Sequence, residues 1–568
     1  MASGPSSRSH SCFWEPEGRE PHLRSRRVER VVGPPVAGPP GGAAGEMSAM
    51  TEDPRPRSIP GAVSVLFDRA PEGWPAAEGG DFVVDLHLDE IASWLTARRD
   101  DYDLRAFFFA PCPDVEAVAY RHEVFRDLES TTLTTTTRSF ADGMRVIRGR
   151  LARASTSRYR YERERWLLEA VGGYVLTVAA LADGLDVAAP RSRGLGQIAD
   201  HVRDYVGSGA FARLRSDAAR VAGALEGLDF RVRISGRRVV VSRYEAEPDY
   251  GAELLATFGR FRAADVARPE ISLPRGGALD HVEAAVLEGV AEMHPDAFAA
   301  LLAFAADHRD FIDPDLALFD REIQFYLAYG ERIDELRRLG LEFCYPEVSA
   351  ESKATSVRDT FDVALAAKLA VRGRAMVTNG LDLEGSERIV VVTGPNQGGK
   401  TTFARAVGQL HHLARLGCPV PGTKARVFLV DAIHTHFERS EDLGNLAGKL
   451  EDDLQRIRRI LGAATPRSLL VMNESFSSTT VSDALFLNEA ILGAAVGLDI
   501  LAVVVTFLDE LASLTPTTVS LVAAVDPADP GQRTFTLERR PADGLAYAEA
   551  IARKHELTYE LVKRRVAA

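Results

Sequence analysis

Cysteine is scarce: the 568 residues hold four, Cys12, Cys112, Cys344 and Cys418, far apart and never at C-x-x-C spacing. That excludes a disulfide framework and a cysteine zinc site, and it suggests a reducing compartment. Long uninterrupted apolar runs are missing too. The most apolar stretch, Leu485–Val505, is broken by Asn488, Glu489 and Asp499. A charge at the bilayer centre costs about 2.5–3.5 kcal/mol, so the stretch reads as buried core. The N-terminus, MASGPSSRSHS, lacks the apolar segment of a secretory signal. An excess of positive charge is also absent. Lys and Arg number 68 against 81 Asp and Glu, a net charge of −13. The whole protein is therefore no cationic nucleic-acid coat, and any DNA contact must come from a local basic patch. These absences lead us to expect a cytoplasmic protein with no membrane partner.

What is present is ordinary globular material: 46% hydrophobic and 26% charged residues. At roughly 100–200 residues per domain the chain should hold about three to five domains. Residues 1–60 carry 10 Pro and 7 Gly and few large aliphatics. Such a tail cannot bury enough surface to offset its chain entropy and is expected to be disordered. Met47 and Met50, inside this tail, are alternative candidate starts. Residues 61–344 read as mainly helical, a core and lever-like region, with apolar residues at i, i+3 and i+4. Inside this region the period shifts to two over Phe230–Tyr244, around Ser235-Gly236, a hairpin signal. From 345 to 568 short β-rich runs alternate with helical stretches: Arg388–Thr393, Arg426–Val430, Ser468–Met472, Ile500–Thr506 and Val519–Val525. That alternation predicts an α/β domain with a largely parallel sheet. The expected fold is mixed, a helical N-terminal half joined to an α/β P-loop NTPase domain.

The strongest chemical signal lies at the start of that domain. Ile389-Val-Val-Val-Thr leads into Gly394-Pro395-Asn396-Gln397-Gly398-Gly399-Lys400-Thr401-Thr402, which fits G-x-x-x-x-G-K-[ST] between an expected strand and an expected helix. The glycines let backbone N–H groups turn inward around phosphates, and the following helix N-terminus adds partial positive charge. Lys400 should reach the β- and γ-phosphates of ATP, and the Thr401 hydroxyl should ligate Mg²⁺. A second strand, Ser468-Leu-Leu-Val-Met, ends in Asn473-Glu474-Ser475. Glu474 there would orient or deprotonate the attacking water. Asn473 stands where an aspartate would hold the metal, and it brings an amide without charge.

These residues resemble one family. Gly394–Thr402 is similar to the phosphate loop of the MutS mismatch-repair ATPases, with its Pro-Asn followed by two glycines. Gly417-Cys-Pro-Val-Pro-Gly422, Asn473–Thr480 and Gly544–His555 resemble later segments of the same domain, so that the likeness covers about residues 390–565. The resemblance implies an ABC-type ATPase domain that works as a homodimer, each nucleotide being closed by a segment of the partner. That segment should lie in Glu441–Glu451, with Asn445, Gly448 and Lys449 as contacts, although the family's serine is not evident there. Two departures bear on hydrolysis: Asn473 replaces the family's aspartate, and Phe507 replaces the histidine after the sensor strand. Phe361, in Asp359-Thr-Phe-Asp362, is a candidate to stack on adenine. Residues 61–393 are too few for the family's full set of mismatch-reading, connector, lever and clamp domains. Phe13-Trp14-Glu15 matches the mismatch reader's Phe-x-Glu only in letters, because no folded domain surrounds it.

DNA contact would fall on Arg145–Arg165, where Arg145, Arg148, Arg150, Arg153, Arg158, Arg160, Arg163 and Arg165 outweigh Glu162 and Glu164 by six charges. Tyr159, Tyr161 and Trp166 are interleaved, and arginines on a helix neutralise phosphates. Arg237-Arg238 beside the hairpin turn is a weaker patch. His434-x-His436 and His411-His412 lack a nearby carboxylate or cysteine in sequence to complete a metal site, and no nucleophilic triad suggests itself. The reading that follows is a MutS-like ATPase whose ATP state closes a homodimer on duplex or branched DNA, in repair or recombination. Two alternatives remain: a nucleotide-sensing scaffold with little hydrolysis, and an ABC-type ATPase acting on a protein partner.

Overall fold

The computed structural model describes residues 63–68, 79–235, 238–244, 279–438, 448–526, 533–542, 558–559 and 562–563. The tail 1–60, Phe13-Trp14-Glu15, the hairpin turn at 236–237, Asn445 and Gly544–His555 lie outside these residues.

The first half is helical, as its periodicity predicts. Helices α1 (Asp81–Asp85), α2 (Leu88–Thr96), α3 (Val115–Asp127), α4 (Thr131–Thr156), α5 (Arg160–Ala188), α6 (Arg193–Gly207) and α7 (Gly209–Glu226) follow one another. The hairpin comes next, β1 (Phe230–Ser235) against β2 (Arg238–Arg243), with Ser235 opposite Arg238. Three more helices close this half: α8 (His281–Met293), α9 (Pro295–Asp307) and α10 (Pro314–Arg337). Their ends are set by side chains. Asp280 caps α8 in a reciprocal capping box with Glu283, and Asp313 caps α10 before Pro314. By length and composition α5 is apolar enough to cross a bilayer. In the fold, its Leu168, Val171, Tyr174, Val178 and Leu181 face is buried in the bundle.

A buried carboxylate ties the segment 63–68 into this bundle. Glu322 of α10, 1% exposed, accepts from the Ser64 hydroxyl (2.8 Å), the Val65 amide (2.8 Å) and the Leu66 amide (3.3 Å). Tyr120 and Tyr326 donate to the carbonyls of Ser64 and Val65, and Arg121 donates to that of Leu66. Burial pushes the Glu322 carboxyl up to about 7, against the pull of these donors.

The second half holds short strands β3 (Phe343–Cys344) and β4 (Glu347–Ser349), then β5 (Thr355–Thr360), α11 (Val363–Val371), β6 (Asn379–Leu383) and β7 (Ile389–Thr393). It continues with α12 (Lys400–Arg415), β8 (Val420–Pro421), β9 (Lys424–Phe428), β10 (Ile433–Phe437) and α13 (Lys449–Ala463). Last come β11 (Leu469–Asn473), α14 (Val481–Gly497), β12 (Leu501–Val505), β13 (Thr518–Val525) and β14 (Arg533–Arg539). The main sheet has the order β10-β11-β12-β7-β13-β14, parallel except for the antiparallel edge strand β14. Every residue of β7 and β12 is buried, as a sheet covered on both faces requires.

One expected strand of that sheet belongs elsewhere. The run Arg426–Val430 falls on β9, which joins a separate four-stranded sheet ordered β4-β9-β5-β6. Lys424-Ala-Arg-Val-Phe alternates exposed and buried residues, the mark of a strand with one wet face, whereas the central strands β7 and β12 of the parallel sheet are buried along their whole length. The apolar core also crosses position 345. One cluster joins Phe125, Phe325 and Tyr329 of the helices to Val407 and Leu410 of α12 and Val390 of β7. The described cysteines Cys112, Cys344 and Cys418 are free.

Candidate functional site

The site lies at the carboxyl ends of the parallel strands, the usual place for ligands in such sheets. β7 ends in a loop that only glycine can shape. Gly394 has φ +107°, and a Cβ there would meet the backbone of Ala523 at 3.0 Å. Gly399, at φ +91°, starts α12, so that the helix N-terminus faces the loop. Lys400 folds back over this loop. Its Nζ donates to the Gly394 carbonyl at 2.7 Å and approaches Asn396 Oδ1 at 3.4 Å. Lys400 is only 4% exposed, and burial holds its ammonium below the usual lysine range, while Glu474 and Asp509 pull the other way.

Two strands away, β11 delivers Asn473 and Glu474. The Thr401 hydroxyl donates to Asn473 Oδ1 at 2.8 Å, and the Glu474 amide donates to the Val505 carbonyl at 2.9 Å. Thr401, Asn473 and Glu474 thus gather a hydroxyl, an amide oxygen and a carboxylate. Such an oxygen set suits a hard divalent cation such as Mg²⁺. Four residues around the site hold left-handed backbone without being glycine: Gln397 (φ 61°), Glu474 (φ 51°), Phe476 (φ 62°) and Phe535 (φ 61°). Strain of this kind costs on the order of 1–3 kcal/mol each and gathers where function needs it.

A cavity of about 540 Å³ opens beside the loop, a size that holds a nucleotide. Gln397–Phe403 and Glu474 form one wall; Phe361, Leu365, Met376, Asn379 and Phe535 form the other. Phe361 therefore reaches the cavity, but it is 2% exposed and packs edge-on against Phe343 at 5.5 Å. Phe535 is the more open aromatic, 48% exposed. It sits on a bulge of β14, where the Arg533–Leu537 stretch spans what Ala523–Val525 spans on β13. Asn379 braces that bulge, donating to the Phe535 carbonyl (3.1 Å) and accepting from the Leu537 amide (2.7 Å). Arg533 adds a bond to the Asn396 carbonyl at 3.2 Å. None of Phe535, Asn379, Arg533 or Asp509 stands out in sequence, because only the sheet brings them to the loop.

The remaining sequence candidates are scattered. Phe507 lies two residues past the end of β12 and is 49% exposed. Gly448 caps α13, and Lys449 pairs with Glu438 at 2.7 Å. The basic run does not form one helical face, because a turn at 157–159 divides it between α4 and α5. Arg148 is held by the buried Asp320 and by Tyr102, whereas Arg145 makes only an exposed pair with Asp142 on its own helix. Arg153 lies over Trp166 at 4.9 Å, and Arg165 pairs with Glu169 at 3.1 Å. Arg158 and Arg160 are exposed at the turn. The histidines of α12 serve packing: His411 and His412 bond to the carbonyls of Val407 and Phe108. His436, by contrast, lies 3.3 Å from the carboxylate of Asp453, which reaches it from α13. His201, Asp313 and Asp315 also cluster, but Asp313 caps α10 and Asp315 accepts from the Val63 amide.

Residues 390–549 match the family model for MutS domain V. Domain V is the ATPase domain of MutS-family proteins, and the match spans the glycine loop, Asn473-Glu474 and the bulged strand that walls the cavity. Through this domain the chain is related to the MutS family.

Proposed function

We propose that the chain is an ATP- and DNA-binding ATPase of the MutS type, with a P-loop of the ABC class at Gly394–Thr402. The observation that carries this reading is a buried ammonium, Lys400, whose main partner is a loop carbonyl, beside a cavity that Glu474 also lines. A lysine so placed exchanges the Gly394 carbonyl for a phosphate oxygen, a stronger charge-assisted partner. The amides of 394–400 and the N-terminus of α12 hold the remaining phosphate charge. Thr401, Asn473 and Glu474 hold Mg²⁺, which supplies charge neutralisation at the phosphates. Glu474 orients the attacking water, so that ATP and water give ADP and phosphate. Phe361 and Phe535 border the space left for the base.

In this reading two copies close on the nucleotides through the region of Gly448 and Lys449. The helical half grips duplex or branched DNA without sequence preference, in repair or recombination, in the cytoplasm. Arg145, Arg153, Arg158 and Arg160 are the exposed arginines that meet phosphates, with the partly buried Arg148 beside them. A second reading, a nucleotide-gated scaffold with little hydrolysis, is favoured by the uncharged Asn473 and by Phe507. Steady-state ATP hydrolysis without DNA, then with homoduplex, mismatched and branched DNA, separates the two. Turnover that DNA alters and that Lys400→Ala abolishes supports the ATPase. ATP binding with no ADP formed above the Lys400→Ala level supports the scaffold.

A further inference from the structure

Behind Glu474 lies a buried chain of polar groups that the reaction as described leaves unused. Ser475, 7% exposed, follows Glu474 directly, and its hydroxyl lies 3.0 Å from Nδ1 of His436, which is wholly buried on β10. The other ring nitrogen, Nε2, lies 3.3 Å from Oδ1 of Asp453 on α13, short of full hydrogen-bond geometry. The tautomer follows from the partners. Ser475 donates to Nδ1, and Nε2–H points the remaining proton towards the carboxylate. In order the groups are serine, histidine and aspartate, yet at this burial no acyl substrate reaches the serine, so the arrangement is not a hydrolytic site.

A second bridge runs parallel to the first. Glu438, one residue past the end of β10, accepts from Ser477 on the Glu474 loop and from Lys449 in the first turn of α13. Both donors hold the Glu438 carboxyl below its usual range. The loop 474–480 and the start of α13 are thus joined twice through β10, once by a buried imidazole and once by a half-exposed carboxylate. Besides Ser475, the imidazole faces Asp453 on α13 and the ring of Phe476 at 6.0 Å, and the next residue of its strand, Phe437, accepts at its carbonyl from Arg456 of α13.

We infer that His436 is a positioning residue: it couples the place of α13 to the place of the Glu474 carboxylate, tight at Ser475 and loose at Asp453. An inward shift of α13 closes the Nε2 contact and stiffens the strained turn at Glu474 and Phe476. An outward shift leaves a buried ring nitrogen unpaired and frees the loop. Because α13 begins at Gly448 and Lys449, whatever engages those residues acts on the water-orienting group through His436. The inference deepens the ATPase reading and rests on it for its hydrolytic arm alone.

The test has two arms on the full chain. In the first, amide exchange is followed without nucleotide. Asp453→Ala should raise exchange at 474–480 about tenfold, and Ser475→Ala should do the same for the first turns of α13, with β12 and α12 unchanged. Variants that loosen only their own element overturn the coupling. In the second arm, Ser475→Ala should lower kcat for ATP about 10- to 100-fold at unchanged KM. His436→Gln, whose amide can accept from Ser475 and donate to Asp453, should recover most of the rate that His436→Leu loses. Equal rates for His436→Gln and His436→Leu, or a wild-type kcat in folded Ser475→Ala, overturn the inference. If the wild type hydrolyses nothing, the ATPase reading fails, and the exchange arm still decides the bridge.

Discussion

Two of the protein's buried ionisable groups, of opposite sign, are treated in opposite ways. Glu322, in the helical half, is saturated: Ser64, Val65 and Leu66 all donate to it, and no cavity is needed to complete it. Lys400, in the α/β half, bonds to one loop carbonyl and faces a cavity of about 540 Å³. Burial disfavours ionisation in both, pushing the carboxyl up and the ammonium down. The difference lies in what repays it. For Glu322 the fold repays it internally, and the result is an anchor for 63–68. For Lys400, in the function proposed above, the repayment is left to an anionic ligand, and the result would be a binding site. A buried charge signals function only when its own fold leaves it under-partnered.

The sharpest break of this comparison is a crossed pair of substitutions. Glu322→Ala strands three buried donors and should lower unfolding free energy by about 3–5 kcal/mol in urea titration. The protein that remains folded should keep its ATP affinity. Lys400→Ala should do the reverse: an unchanged or raised thermal midpoint, with nucleotide affinity down about 100-fold or more by equilibrium binding. Should Lys400→Ala unfold the protein instead, its ammonium is an anchor like Glu322. Next in size is Glu474→Gln. It keeps the side-chain shape and removes the charge, so that ATP binding should persist while single-turnover hydrolysis falls about 10²–10³-fold.

The pH response sharpens the comparison from the other side. Glu322 has a folded value of about 7 against an unfolded value of 4.5, so the native state binds the extra proton between these limits. Its contribution is therefore greatest below the unfolded value and is lost as pH rises towards 7, to an extent of about 3 kcal/mol. His122, lowered to about 4 by burial, changes stability in the opposite direction over pH 4–6.5. The difference between wild type and Glu322→Gln isolates the carboxylate, and it should be steep between pH 5 and 7 and flat above 8. The smallest effect expected is for Asn473→Asp. It adds a charge beside Thr401 and should raise Mg²⁺ affinity in the nucleotide complex about tenfold, read by metal titration.

Sequence carried the loop and its acidic partner because both are local. A strand, a loop with glycines at 394, 398 and 399 and a helix start lie within Ile389–Thr402, and Asn473-Glu474 ends an apolar run of the same kind. The far wall of the cavity was illegible because a bulge makes it. No local signal in Thr534-Phe-Thr says that Asn379, 156 residues earlier, will hold Phe535 over the loop. The basic run was legible as charge, but the partners that hold some of its arginines were not. Arg148 looks free until the fold supplies Asp320, 172 residues on. The same distance problem hid His436 and Asp453, which share a site only because β10 and α13 pack together. Alternation in Lys424–Phe428 did carry the information that β9 belongs to a wet-faced sheet, although the run of strands suggested one sheet.

The placement of β7 has a consequence for how the protein is made. β7 emerges first among the strands of its sheet, yet its neighbours are β12 and β13, which begin at Leu501 and Thr518. At about 5–20 residues per second, a ribosome takes roughly 5–20 s to travel from one to the other. For all that time Ile-Val-Val-Val-Thr has no strand to pair with. The strand that leads into the glycine loop is therefore an aggregation-prone segment of the nascent chain, and chaperone depletion during synthesis should cost this domain its yield before it costs the helical half.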